Sequence, residues 1–160
     1  MGTRRQEEVA VSLNWQQYLE ADLSRAEAVK ALFESKEFGE QMLSEMLRSP
    51  ATRRSALRLL RDLDPTRYPG MCAVLVELAS TGHSDIDFVR SLLGTFDASV
   101  LDGVLWSSIE ANLDDRDDEP FRRYAELLQL LSRTEEMHLL LDRAGASANA
   151  HIAEVVDDFG

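Results

Sequence analysis

The sequence contains little of what disulfide-bonded or β-sheet proteins need. Of its 160 residues, one is cysteine, four are proline and eight are glycine. A single cysteine, Cys72, cannot form a disulfide within the chain, which fits a reducing compartment. So few glycines and prolines supply too few turns for an all-β fold, and no segment sustains an alternation of apolar and polar residues. We therefore expect no sheet.

Long apolar runs are also missing. No run approaches the roughly 20 apolar residues that a membrane-spanning helix needs. The first eight residues are charged and lack the apolar segment of a secretory signal, and Gln6 stands where a myristoylation signal requires serine or threonine. These absences predict a cytoplasmic protein without a membrane partner.

Basic residues are scarce in the second half of the chain. Residues 1–80 contain 11 Lys and Arg against 12 Asp and Glu, whereas residues 81–160 contain 6 against 17. The second half therefore carries −11 of the total formal charge of −12. This charge repels phosphate backbones, which disfavours nucleic acid as a partner, and it attracts a basic protein.

Apolar residues recur at helical spacing along nearly the whole chain. With capping and turn signals, this spacing predicts about nine helices, and their short connections predict antiparallel neighbours. The predicted ranges, of which the first could be a single turn, are 12–20, 24–35, 37–48, 50–63, 69–81, 85–95, 98–113, 118–132, 134–144 and 148–158. We expect one all-helical domain over residues 1–160. We leave open whether residues 1–11 are disordered.

Local signals mark several helix ends. The capping boxes that begin at Ser24 and Ser84 predict helix starts, as does Ser49 before Pro50. Gly145 stands where a left-handed glycine that ends a helix belongs.

Three segments share an arginine followed by a small or apolar residue and then leucine. Their arginines, Arg54, Arg90 and Arg123, are 36 and 33 residues apart, and each segment follows a polar turn. In this pattern residues 37–132 resemble the HEAT and armadillo-like helical repeats, whose second helix carries an arginine before packing alanine and leucine. The resemblance implies an all-α fold of antiparallel helix pairs stacked as a short α-solenoid. An irregular multi-helix bundle is the alternative.

Arginines are concentrated before residue 68. They are Arg48, Arg53, Arg54, Arg58, Arg61 and Arg67. The spacing of four and three residues places Arg54, Arg58 and Arg61 on one helix face, opposite Ala56, Leu57, Leu60 and Leu63. Arginine pairs well with carboxylate and phosphate, so this face is a candidate for binding an acidic peptide or a phosphate group. A solvated face, neutralised by Asp62 or by a neighbouring helix, is the favoured alternative.

An acidic run covers residues 114–119. Counted from Asp115, acids at the first, third, fifth and twelfth positions resemble an EF-hand calcium loop, the twelfth being Glu126. Pro120 stands at the sixth position, where that loop needs glycine. We therefore favour a solvated loop whose last acids cap the next helix, and we predict no metal site.

The remaining reactive residues also lack a catalytic pattern. Glu135 and His138 have di-iron spacing without a second copy, and His83 and His151 are most simply solvent-facing, as is His138. Cys72 lies among apolar residues and is expected to be a core thiol, while Trp106 is either core or an interface aromatic. The sequence contains neither a hydrolase nucleophile elbow nor a phosphate-binding glycine loop, so we predict no catalytic residue and no cofactor.

The sequence favours a non-enzymatic protein-interaction module with a helical-repeat binding face. Its candidate binding residues are Arg54, Arg58, Arg61, Trp106, Asp115, Asp117 and Asp118. One alternative is an acidic immunity or antitoxin-like protein that neutralises a basic toxin. Another is a HEAT-like nucleic-acid-binding protein that uses the arginines from Arg48 to Arg67. The sequence leaves the identity of the partner and the oligomeric state open.

Overall fold

A computed structural model describes residues 2–35, 38–63 and 68–160, with side chains from residue 14 onward. Every regular element in these ranges is an α-helix, which confirms the predicted all-α class. The nine helices of the described part are α1 (Gly2–Glu34), α2 (Glu40–Arg48), α3 (Arg53–Asp62), α4 (Gly70–Leu78), α5 (Ile86–Leu93), α6 (Ala98–Asn112), α7 (Glu119–Leu130), α8 (Thr134–Gly145) and α9 (Ala150–Phe159).

Helix α1 differs most from the prediction. The expected helix start at Ser24 is wrong, because α1 continues through it without a break. Serine inside a helix costs only about 0.5 kcal/mol relative to alanine. Two new helix ends at this point would instead leave eight backbone groups without helical partners. An unbroken α1 therefore has a lower free energy than two helices separated at Ser24.

The predicted start of α3 is also wrong, by three residues. The carbonyl oxygen of Ser49 accepts the N–H groups of Thr52 at 3.1 Å and Arg53 at 2.8 Å, so this segment is a turn. The Thr52 hydroxyl donates to the carbonyl oxygen of Met46 at 2.8 Å and thereby satisfies the end of α2. The turn at Pro50 thus closes one helix before the next begins.

The left-handed residue that ends a helix is Ser132, with φ of 55°, and not the predicted Gly145. Among the described residues, no glycine has a positive φ, and Gly145 lies in the last turn of α8.

The chain divides into two compact units, the first ending at Met42 and the second running from Leu43 to Gly160. The prediction of a single domain stays a prediction. In the first unit, no described side chain of α1 is buried. The rings of Trp15 and Tyr18 stack with their centroids 5.4 Å apart, although both side chains are largely exposed.

In the second unit, α4 packs against α5 and α6, and α8 packs against α7 and α9. Alternate helices also pack together, as α3 does with α5 and α7 with α9. Fully buried side chains from helices α2 to α9 form the core, among them Leu57, Leu75, Leu105, Phe121 and Tyr124. The buried Tyr124 hydroxyl donates to the carbonyl oxygen of Val76 at 3.1 Å, joining α7 to α4, and burial raises the pKa of this hydroxyl.

Several predicted core positions are confirmed. Leu101, Leu105 and Ile109 form the buried stripe of α6. Cys72 is fully buried, and burial raises the pKa of its thiol to about 11, so the thiolate is disfavoured at neutral pH. Trp106 is half-buried beside the α6 stripe.

None of the helices described is both long enough and apolar enough to cross a membrane.

Candidate functional site

Arginine–carboxylate pairs connect alternate helices of the second unit. One series joins the end of α2 to α4 and joins α6 to α8, and the other joins α3, α5, α7 and α9. The pairs are Arg48–Glu77, Asp102–Arg133 and Glu110–Arg143 in the first series, and Arg54–Asp85, Arg90–Glu126 and Arg122–Asp158 in the second. These charged groups pair with one another and stabilise contacts between helices of the molecule. They are therefore not free to bind another molecule.

The electrostatics of these pairs follow from their hydrogen bonds. The side-chain bond to Glu77 raises the pKa of Arg48, and that to Asp158 raises the pKa of Arg122. Burial alone would raise the pKa of Glu126, but hydrogen bonds from Arg90 and Arg123 outweigh it and lower that pKa. Arg48, Arg122 and Glu126 therefore remain charged at neutral pH.

The arginine face of α3, consisting of Arg54, Arg58 and Arg61, points to solvent as predicted. The opposite side is buried through Ala56, Leu57, Leu60 and Leu63. Arg54 lies 3.6 Å from Asp85, and Arg61 lies 3.2 Å from Asp62 with its guanidinium 5.7 Å from the Phe88 ring centroid. Arg58 alone of the three has no partner among the described residues. The face is therefore partly neutralised.

The other arginines of this region have structural contacts or lie outside the described residues. Arg48 pairs with Glu77 at 2.5 Å. Arg53 donates to the carbonyl oxygens of Leu47 at 2.9 Å and Arg48 at 3.3 Å, so it caps the end of α2. Arg67 belongs to the part of the chain that the structure does not describe.

The acidic run forms the turn before α7. The carboxylate of Asp117 accepts the N–H of Glu119 at 3.1 Å, whereas the N-cap residue Asp118 makes no side-chain capping bond, so the predicted cap is met only by the acid before it. Asp118 instead pairs with Arg122 at 3.0 Å, and that bond lowers the Asp118 pKa. Asp115 lies 3.5 Å from Arg143.

The resemblance to a calcium loop does not extend to the geometry. Glu126, at the twelfth position, is directed to Arg90 and Arg123 instead of the loop. Across the described ranges, no three His, Cys, Asp or Glu side chains converge in a way that could hold a metal ion.

The histidines divide into two kinds. His138 and His151 are exposed, as predicted. For His83 the prediction of a solvent-facing ring is wrong, since the ring is half-buried. Its Nδ1 accepts the N–H of Asp85 at 3.1 Å, which leaves Nε2 to donate to the carbonyl oxygen of Leu78 at 2.9 Å. His83 thus ties the turn between α4 and α5 to the end of α4.

An open groove of about 600 Å³ lies between α5 and α7. Gly94 and Leu131 line it, as does Leu130, whose side chain is 61% exposed. Its charged lining residues are Asp87, Arg90 and Glu126. The groove therefore combines an exposed apolar wall with carboxylates.

Sequence reasoning missed this groove because its two sides come from helices whose contact is not visible in the sequence. One signal was available for Leu130. The buried stripe of α7 runs through Tyr124, Leu127 and Leu128, and helical periodicity places Leu130 beside that stripe. No contact described here joins the arginine face to Trp106 or to the acidic run, so the predicted binding residues do not form one site.

No family model matches the chain, and no curated protein or solved structure shows significant similarity to it.

Proposed function

We propose that the chain is a non-enzymatic protein-interaction module whose helix pairs stack as a short α-solenoid. The supporting observation is that alternate helices are joined in two series by arginine–carboxylate pairs. All six pairs span 29 to 36 residues of sequence, close to the spacing of the aligned arginines. A helical repeat has this property, because each helix pair contacts the next helix pair along the chain. Corresponding helices then form a layer with one face exposed.

The surface charge left after this internal pairing favours a basic partner. Within residues 81–160, Arg90, Arg122, Arg123, Arg133 and Arg143 are each ion-paired in the structure. Seven acids of the same region are exposed and have no ion pair in the described structure: Asp87, Asp97, Asp114, Asp117, Glu135, Asp142 and Asp157. Outward carboxylates without counter-charges attract a protein with basic contact residues.

Affinity capture with the full chain tests this function. Wild type should recover one protein specifically at about 0.1 M NaCl and lose it near 1 M, because salt shortens the Debye length from about 10 Å to 3 Å. The matched variants neutralise Asp97, Glu135, Asp142 and Asp157 together, or replace exposed Ser99 and Ser107 by alanine. The neutralised variant should lose the partner and the serine variant should keep it. Recovery that is insensitive to both salt and neutralisation would contradict a basic partner.

An acidic immunity or antitoxin-like role is a second candidate, favoured by the same free carboxylates. It requires that the captured protein be a basic toxin, encoded next to this chain, whose activity the chain inhibits. Co-expression should rescue cells from that toxin, and rescue should fail with the neutralised variant. Persistence of toxicity with abundant wild-type chain would exclude this candidate.

The nucleic-acid alternative depends on the arginines from Arg48 to Arg67. Of the described ones, only Arg58 lacks a partner, which gives this alternative little support. Tight binding of duplex DNA in a mobility-shift assay at low salt, reduced by Arg58→Ala, would restore it.

A further inference from the structure

The groove between α5 and α7 is large enough for side chains of a partner but too small for a folded surface. Its volume of about 600 Å³ lies within the range of roughly 300–1,000 Å³ found for small-ligand sites. Gly94 lies at the end of α5, where a Cβ would meet the Ser91 carbonyl oxygen at 3.4 Å and Leu131 Cδ2 at 3.7 Å. These are ordinary contact distances, so only a small group would fit at Gly94 itself, and the glycine leaves this end of the groove without a side chain.

The apolar side of the groove is left uncovered by the chain itself. Leu130 is 61% exposed, although it stands in the last turn of a helix whose neighbouring leucines, Leu127 and Leu128, are fully buried. Burial of an exposed leucine by a partner is favourable, because it removes apolar surface from water. The groove therefore favours an apolar group as part of its occupant.

The charges at the groove determine which charged group the occupant carries. Arg90 cannot attract an acid, since its guanidinium already bonds to Glu126 and to the Arg123 carbonyl oxygen and its side chain is only 13% exposed. Asp87 is exposed and has no partner in the described part of the chain. The unbalanced charge at the groove is thus a carboxylate, which pairs with lysine or arginine and repels an acidic segment.

We propose that this groove binds a segment of the partner protein in which an apolar side chain stands next to a lysine or arginine. The apolar side chain packs on Leu130 above Gly94, and the basic group pairs with Asp87. The proposal rests on the interaction function proposed above and assigns the place and the chemistry of one contact.

Selection from a library of short random peptides, using the full chain, tests this assignment. Peptides retained by wild type are compared with those retained by Leu130→Asp and Asp87→Lys. The matched controls are Leu139→Asp and Glu20→Lys, because Leu139 and Glu20 are also exposed but lie outside the groove and outside the acidic set of residues 81–160. Peptides lost with both groove variants and kept with both controls should carry leucine, isoleucine, methionine or phenylalanine beside lysine or arginine.

One such peptide is then synthesised and its affinity measured. We expect Leu130→Asp to weaken binding by at least about tenfold and Asp87→Asn by about two- to fivefold, in line with loss of apolar burial and of one exposed ion pair. Enrichment of acidic peptides, or equal affinities for all variants, would overturn the assignment. If binding is unaffected by the groove variants but is lost when Asp97, Glu135, Asp142 and Asp157 are neutralised, the groove assignment is wrong and the interaction function is retained. If no peptide and no protein binds any variant, both the groove assignment and the interaction function are wrong.

Discussion

At the scale of single residues, Ser132 is the position where backbone conformation and residue type conflict most. It follows α7 with φ of 55°, in the left-handed region that favours glycine. The chain reverses here through two hydrogen bonds, from the Ser132 N–H to Gln129 O at 3.2 Å and from the Arg133 N–H to Leu128 O at 2.9 Å. This arrangement ends many helices, usually with glycine at the left-handed position.

We expect Ser132→Gly to increase the free energy of unfolding by up to about 1 kcal/mol, because relief of the left-handed strain exceeds the gain in unfolded-chain entropy. Ser132→Val should lower it by about 1–2 kcal/mol, since a β-branched residue tolerates this conformation poorly. Urea denaturation measures both. Ser107→Gly, in the middle of α6, is the control and should lower stability by about 0.5–1 kcal/mol. The same sign at both serines would contradict the argument.

At the scale of elements, the side chain of Arg90 joins α5 to α7. Its guanidinium is largely buried and donates to Glu126 and to the Arg123 carbonyl oxygen at 3.3 Å. We expect Arg90→Ala to lower the free energy of unfolding by about 1–2 kcal/mol, the lower part of the range for such bonds because Glu126 remains one-third exposed.

The matched control for Arg90 is Arg116→Ala, because Arg116 is exposed and has no ion pair in the described structure. Its effect should stay within about 0.5 kcal/mol. Combining Arg90→Ala with Glu126→Gln should cost less than the sum of the two single changes. Additive effects would show that the two side chains do not stabilise the α5–α7 contact together.

The same arginine shows what sequence could and could not predict. Helical spacing and polar turns predicted α6, α7 and α8 closely, since each helix buries a stripe and ends at a turn. The alignment of Arg54, Arg90 and Arg123 predicted nothing about their surroundings, and the side chain of Arg90 is much less exposed than the other two. The surroundings of a side chain depend on which helices pack together, and the sequence does not show this. The groove beside Leu130 was missed for that reason. Ser24 misled because a capping residue signals a helix start only where the chain also turns. Ser49 misled because a turn follows it and α3 begins only at Arg53.

At the scale of the whole molecule, ion-paired and free carboxylates have opposite effects on stability as the pH falls. Free acids repel one another in a chain of net charge −12, so their protonation relieves repulsion. Glu136 behaves differently. Its side chain is 12% exposed, and the hydrogen bond from Arg133, which donates from Nε at 3.1 Å, lowers its pKa. Glu136 releases its proton more readily in the folded state than in the unfolded chain.

Glu136 therefore stabilises the folded state above the ordinary glutamate pKa of about 4.3, and the contribution disappears as the pH falls through its lower folded pKa. We expect Glu136→Gln to lower the free energy of unfolding by about 1 kcal/mol at pH 7, where the charge-assisted bond is lost. The deficit should shrink below about pH 4, where wild type loses the same charge. Urea denaturation across this pH range measures it. Glu135→Gln is the control, because Glu135 is adjacent, exposed and without an ion pair in the described structure, and it should change stability little at any pH. A deficit that stays constant down to the acid limit of folding would mean that the Arg133–Glu136 contact stabilises the protein by packing and not by charge.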